Sequence, residues 1–301
     1  MTTATARRVL KAKSVPIRRG RTPGQRVGFW ATTVGKYLTL AIAALVTLGP
    51  ILVVFLVSFK TDSEVLTTSP LQGPSSFLNF NNYIEAFVRG NMALGFFNTA
   101  WILVVSLAGS VLFGSMTAYA LDRFDFRGKK LVFALFLVAA LIPSVTTQVA
   151  TFQIVVNWLN LYDTPGAAII QFVGTDVVSI YIFVQFMQSI PKSLDEAAMI
   201  DGANRWSIYW RVILPLLKPA IATVVIIKGI AIYNEFYIPF LYLPSDQWAV
   251  ISTSLFHFQG PWGKSWEIIG AGTLIVIIPT LIAFLVLQRF IYAGITRGAT
   301  K

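Results

Sequence analysis

Residues 37–59 read YLTLAIAALVTLGPILVVFLVSF, 23 positions without a single Asp, Glu, Lys, Arg or His. As a helix this run is about 34 Å long, enough to cross a hydrocarbon layer of roughly 30 Å. It is too long for the apolar segment of a signal peptide. The basic stretch of about 36 residues before it is also too long, so it reads as a retained anchor. Pro50 sits inside the run, which is tolerated where neighbouring helices satisfy the freed backbone groups.

The same pattern recurs along the 301 residues. Five further apolar runs are expected to span: Ala93–Leu121, Leu131–Val156, Gly166–Ser189, Ala220–Leu243 and Ile268–Leu287. Composition agrees. Hydrophobic residues make up 55% and charged residues 12%, about half the charged share of an ordinary soluble domain, and the mean hydropathy is +0.69. A soluble fold of this size cannot hide that much apolar surface. The expected fold is an all-α integral membrane protein with six transmembrane helices.

The basic excess, 24 Lys+Arg against 13 Asp+Glu, then reads as topology. Nine cations precede the first run: Arg7, Arg8, Lys11, Lys13, Arg18, Arg19, Arg21, Arg26 and Lys36. Arg123, Arg127, Lys129 and Lys130 follow the second, and Lys192, Arg205, Arg211 and Lys218 follow the fourth. Arg289, Arg297 and Lys301 end the chain, while the alternate loops hold only Lys60, Arg89 and Lys264. Basic loops stay cytoplasmic, so both termini are expected inside. The organisation is a basic tail over 1–36, a six-span region over 37–292 and a short tail over 293–301. The first tail reads as topology-setting, with contact to anionic lipid as the rival reading.

Several chemistries are excluded or disfavoured. There is no cysteine, hence no disulfide, thiol catalysis or Cys-based metal site. One histidine, His257, leaves no His-rich metal site and reads as a loop residue. The Gly-Lys pairs at 35–36, 128–129 and 263–264 lack the spaced glycine and following Ser/Thr of a phosphate-binding loop. Any ATP must be bound by another protein.

One cytoplasmic loop, 190–219, is more than a connection. Ser193 with Glu196 forms a capping-box pattern, and Asp195 and Glu196 suit the positive end of a helix. Gly202 supplies a stop, so a helix of about eight residues and roughly 12 Å is expected. So short a helix outside the membrane must lean on its own chain or on a partner. A second helical stretch, Arg205–Leu214, precedes Pro215 and Pro219.

Glu196-Ala197-Ala198 with Asp201-Gly202 and Leu214-Pro215 resembles the EAA signature of ABC importer permeases, in the carbohydrate branch (maltose-type, smaller permease partner). Val212 stands where isoleucine is usual. The likeness extends to Ser58-Phe59-Lys60, Asn82-Tyr83, Ala118-Tyr119-Ala120 with Arg123, Ile142-Pro143, Asn234-Glu235-Phe236 with Pro239, and Gln288-Arg289 with Gly294-Ile295-Thr296. The resemblance implies a type I importer permease in the cytoplasmic membrane of a prokaryote, with no cofactor of its own and ATP and Mg on a partner ATPase. It implies four protein partners, a second homologous permease, two cytoplasmic ATPase subunits and an extracytoplasmic solute-binding protein, together with membrane lipid and a sugar substrate. Glu196 would contact the ATPase, Ala197 and Ala198 would fill its groove, and Gly202 would make the turn. The tail Gly294–Lys301 resembles tails that reach the ATPase, although its end departs from the common pattern.

Within the runs, charges need a reason, because each costs roughly 2.5–3.5 kcal/mol at bilayer depth. Lys228 lies near the cytoplasmic end and reads as snorkelling; Asp176 reads as a packing or outer-cavity residue. Tyr233, Asn234, Glu235, Tyr237 and Pro239 form a polar, aromatic, kink-prone segment expected to line a translocation pathway. Interhelical hydrogen bonding with an interfacial aromatic belt is the rival reading. Ser106, Ser110, Gly114 and Ala118, at steps of four, form a packing stripe whose neighbour is open. The last outer loop, with Trp248, His257, Trp262 and Trp266, is expected to meet a binding protein or to anchor at the interface. The function expected is import of a di- or oligosaccharide by alternating access. The alternative is a self-sufficient secondary transporter of a small polar solute, which would need an ion relay richer than Asp176, Lys228 and Glu235.

Overall fold

The structure, a computed structural model, describes residues 23–174, 176–260 and 263–299. The basic residues from Arg7 to Arg21, Trp262 and Lys301 lie outside the described residues, as do the side chains of Arg26, His257, Lys264, Arg289 and Arg297. Two units divide the chain, 1–52 and 53–301. In the first, helix α1 (Pro23–Ser58) exposes Leu38, Leu45 and Val46, as an apolar helix does when lipid is its solvent. The end of α1 belongs to the second unit.

In the second unit the segment between α1 and the next long helix comes first, with α2 (Asp62–Thr67) and α3 (Asn81–Arg89). It is tied by polar bonds among residues of the resemblance. Asn82 Nδ2 donates to the carbonyls of Ser58 and Lys60, both at 2.8 Å, and the Ser58 and Tyr83 hydroxyls meet at 2.7 Å. Lys60 is buried, its ammonium donating to Thr68 Oγ1 and to the Ser69 carbonyl at 2.8 Å each.

Helix α4 (Met92–Arg123) is the central rod, 32 residues long. It packs against α7 (Pro165–Gly174) and α8 (Val177–Gln188). The open question of the packing stripe is thereby answered: Ser106, Ser110 and Ala118 are buried, and a methyl group on Gly114 would lie 3.2 Å from Phe183. The neighbour is its own chain. Gly109 permits the same closeness one step away, its missing Cβ lying 2.7 Å from Val173.

Three of the expected runs are broken. The third consists of α5 (Lys129–Leu141) and α6 (Ser144–Gln153) with a π-helical turn, Ile154–Trp158, the two halves bent by 108°. Pro143 lacks an N–H and pushes Ile142 to an extended conformation, so the helix cannot continue through it. The fourth bends by 42° between α7 and α8. In the 190–219 loop come α9 (Ser193–Ile200), α10 (Arg205–Ile208), a π-helical turn over Tyr209–Ile213 and α11 (Leu214–Leu216). The fifth run is α12 (Lys218–Asn234) and α13 (Tyr237–Tyr242), with Glu235 and Phe236 between them. A two-residue ladder, β1 (Gln259–Gly260) with β2 (Gly263–Lys264), precedes α14 (Trp266–Ala299).

Among the described residues three helical stretches are long and apolar enough to cross a membrane: Thr32–Ser58, Met92–Arg123 and Trp266–Val286. Three bent pairs would raise the number to six, the third pairing Arg205–Leu216 with Lys218–Asn234 at 70°. The loop after α13 folds back on the start of α4, where Asn98 Nδ2 donates to the carbonyls of Gln247 (3.0 Å) and Ala249 (2.9 Å). The Ile251 amide donates to Thr99 Oγ1 at 2.9 Å. Trp248 packs on the adjoining core and Trp266 is half exposed.

Candidate functional site

The 190–219 loop is built from short helices that could not stand alone. Its inner side supplies Ile208, Tyr209, Ile213 and Leu217 to a core with Ala118, Tyr119 and Leu121 of α4 and Phe183, Val184 and Met187 of α8. Ala198 and Leu214 pack on that core from the edge. Its outer side leaves Glu196, Ala197, Asp201, Gly202 and Pro215 exposed, beside the apolar Leu194, Met199, Ile200 and Trp206. The seven residues named from the signature therefore divide between one exposed face and one packed edge.

The helix α9 has the expected eight residues, but its start differs from the capping-box pattern. Lys192 is the cap residue, already in helical conformation, and no side-chain cap bond forms. The Lys192 carbonyl takes the amides of Asp195 (3.0 Å) and Glu196 (3.2 Å), so Ser193 is inside the helix and its hydroxyl is not at the capping position. The end follows the sequence. Gly202 adopts φ +82°, its amide donating to the Met199 carbonyl, and the Ala203 amide reaches back to Ala198 at 2.9 Å. This is the paired bond pattern of a left-handed helix stop, which a side chain at 202 would strain.

Asp195 was read only as a favourable charge at the helix start. It turns inward and is buried against Arg123, Nε to Oδ2 at 2.6 Å. Burial of a carboxylate was not readable from its position, but Arg123 at the end of an apolar run was a signal that a partner was needed.

Lys228 does not snorkel. Its ammonium lies 3.4 Å from Asp176 Oδ1, and their side chains are 18% and 7% exposed. Asp176 is the cap of α8, taking the Ser179 amide at 3.3 Å, so the break between α7 and α8 is what presents its carboxylate to α12. A nearby opposite charge answers the cost of desolvation better than a stretch toward water.

The expected pathway residues take different roles. Glu235 sits at the break between α12 and α13, its Oε1 accepting from the amides of Tyr237 (2.9 Å) and Ile238 (3.2 Å). Tyr233 instead donates its hydroxyl to the Val276 carbonyl of α14 at 2.9 Å, a packing bond. Asn234 is exposed and returns to the Ile230 carbonyl, Tyr237 is exposed and Pro239 is buried. Tyr233, Glu235 and Pro239 border a small pocket with Thr99, Ile102, Phe172 and Ser252, of about 10 Å³, room for one water. No sugar fits it in this arrangement. Among the described residues no cluster of three or more His, Asp or Glu side chains is placed to hold a metal.

Residues 110–297 match the family described as "Binding-protein-dependent transport system inner membrane component". The arabinooligosaccharides transport system permease protein AraQ of Halalkalibacterium halodurans is 31% identical over 274 residues, covering 90% of this chain and 96% of that one. The melibiose/raffinose/stachyose import permease protein MelC of Bacillus subtilis is 32% identical, over 74% of this chain and 82% of its own. In fold, the chain is similar to one of a bacterial ABC transporter involved in the import of the acidic polysaccharide alginate. The TM-score is 0.74 at 22% identity, covering 90% of this chain and 99% of that one. By the extent of the family match and of the identity to its permeases, the chain belongs to the binding-protein-dependent transport system inner membrane components, the membrane permeases of ABC importers.

Proposed function

We propose that this chain is one permease subunit of an ATP-driven importer that carries a di- or oligosaccharide across the cytoplasmic membrane of a prokaryote. The names of its relatives support a sugar, since those proteins serve arabinooligosaccharides, starch degradation products and melibiose, raffinose and stachyose. The first two bent pairs are counted here as single spans and α12 with α13 as another, which with the three long helices makes six, with both termini on the cytoplasmic side as the distribution of basic residues indicates. A second permease would complete the pathway, two ATPases would bind ATP and Mg, and an external binding protein would deliver the sugar.

The observation that carries this reading is the two-sided loop 190–219. Its inner face is built into the cores of α4 and α8, and its outer face exposes Glu196, Ala197, Met199 and Ile200 on a rigid, sharply ended helix. Such a piece is suited to receive a push from a cytoplasmic body and pass it inward. Glu196 and Asp201 supply charge for a basic rim, and the small Ala197 permits close approach. In the membrane, Glu235, Asn234 and Tyr237 would border the sugar route once a second permease and an outward-open arrangement enlarge the pocket beside Pro239. ATP binding would draw the ATPases together, move the two loops and open the route outward.

Reconstitution tests it. Proteoliposomes holding the chain with a partner permease, ATPases and a sugar-loaded binding protein should take up oligosaccharide only when ATP is supplied to the ATPases. Uptake by the chain alone under a proton or sodium gradient would show a secondary transporter instead.

A further inference from the structure

Arg123 is the last residue of α4 and its guanidinium is almost wholly enclosed. Nε lies 2.6 Å from Asp195 Oδ2, with the two side chains 2% and 4% exposed. One terminal nitrogen donates to the Ile190 carbonyl at 2.9 Å, and the other meets Asp122 Oδ2 at 2.6 Å. A single side chain thus holds the entry of the loop at Ile190 and faces α9 at Asp195. Beyond Gly202 the same end of α4 holds the second leg. The Tyr119 hydroxyl donates to the Arg205 carbonyl at 3.4 Å, and the Arg205 guanidinium lies over the Phe124 ring at 5.4 Å.

A buried ion pair adds little net stability, because the loss of hydration offsets most of the attraction. This one is not arranged for maximal stability either, since Asp195 Oδ1 has no hydrogen-bond partner. The guanidinium donates to the Ile190 carbonyl and to Asp122 and faces the Asp195 carboxylate as an ion pair without a hydrogen bond from Nε. This fixes register as the apolar contact of Ala198 does not. Beyond Gly202 the Tyr209 and Ser115 hydroxyls, 2.8 Å apart, add a polar contact to α4. At its other end α4, about 48 Å long, carries the Asn98 and Thr99 bonds to the last outer loop.

We infer that Arg123 is a positioning residue for coupling: through Asp195 and the Ile190 carbonyl it makes α4 follow α9, and so links the cytoplasmic loop to the outer loop at residues 247–251. The inference rests on the importer reading above. Without this tie α4 would keep only its contacts to the second leg of the loop, Tyr119 to Arg205 and Ser115 to Tyr209, and would lag behind α9.

The test measures sugar uptake and ATP hydrolysis together in proteoliposomes of the full complex. Arg123→Gln, which removes the guanidinium and its charge, and Asp195→Asn, which keeps shape but removes charge, should leave hydrolysis within about twofold while lowering sugar moved per ATP by about tenfold or more. The double variant should do no worse than either single one, because one interaction is lost in all three. An unchanged ratio, or losses that multiply, overturns the inference. The native chain has no cysteine, so Arg123→Cys with Asp195→Cys gives one thiol pair for a short bifunctional methanethiosulfonate. Bridged complexes should transport at the unmodified ratio and lose it about tenfold on reduction; bridged complexes that hydrolyse ATP without uptake overturn the inference even where the single variants lose their ATPase. Unmodified complexes without ATP-dependent uptake would refute the importer reading itself, whereas normal unmodified uptake with unaffected variants removes this inference alone.

Discussion

Lys228 of α12 and Asp176 of α8 form an ion pair between two apolar helices, Nζ to Oδ1 at 3.4 Å. Each charge is tolerable there because of the other. Lys228→Met should therefore lower stability by about 3–5 kcal/mol, since it strands a buried carboxylate. Adding Asp176→Asn, which retains a side-chain oxygen for the Ser179 amide, should recover most of that loss. Thermal unfolding of the purified complex in detergent measures both, and a double variant no more stable than Lys228→Met would contradict the pairing.

Gly202 needs its positive φ and nothing else, because no atom lies within 4 Å of where a Cβ would stand. Gly202→Ala should cost about 1–2 kcal/mol and leave co-purification with the ATPase intact. Gly202→Pro is a different change: it demands a negative φ and removes the amide that bonds to Met199. That variant should lose both ATPase binding and uptake. Equal behaviour of the two variants would mean that the shape of the turn is irrelevant to docking.

Glu235 and Tyr233 are two residues apart, yet their variants should separate. Tyr233→Phe removes one hydrogen bond to the Val276 carbonyl, worth about 1 kcal/mol, and should leave the sugar concentration for half-maximal uptake unaltered. Glu235→Ala frees the amides that start α13, costing about 0.5–2 kcal/mol, and removes the acidic group beside the pocket. Uptake should fall by far more than folding does. Equal, small effects of both on transport would place the sugar route elsewhere.

Glu64, in the segment that holds α2, has its carboxyl lowered from 4.5 to about 2, chiefly by the Thr61 amide and then by the Ser75 side chain and amide. A lowered value means that the capped turn is favoured by ionised Glu64. Its contribution is complete above about 4.5 and is lost as the pH falls toward about 2. Carboxyl-carbon titration by NMR should show this group protonating well below 4.5. Thr61→Ala leaves the Thr61 amide bond in place, so the titration should remain low; a midpoint returned to 4.5 would mean that the hydroxyl, and not the amide, holds the charge.

Much of the candidate site was legible along the chain because it depends on local chemistry. The eight-residue length of α9 follows from a stretch ended by glycine, and only Gly202 among its neighbours carries the left-handed turn without strain. The apolar runs were visible because lipid leaves long uncharged segments no alternative. The start of α9 was not visible: whether Lys192 or Ser193 caps it depends on the conformation in which the chain leaves α8 through Pro191. The break at Glu235 falls in the segment whose polar residues and proline marked it as kink-prone, but run length concealed the breaks at Pro143 and between α7 and α8, because hydropathy does not register a bend.

By itself the sequence determined that this is a helical membrane chain, which of its loops are basic, and where a stiff helix with a glycine stop stands among them. These properties follow from composition and from spacing over a few residues. Only the tertiary structure decided which charges meet. Asp176 lies 52 positions from Lys228 and Arg123 lies 72 from Asp195, separations over which periodicity carries no information. The packing of α4 on α8 and the break before Asp176 bring those groups within reach, and desolvation makes each pair necessary once formed.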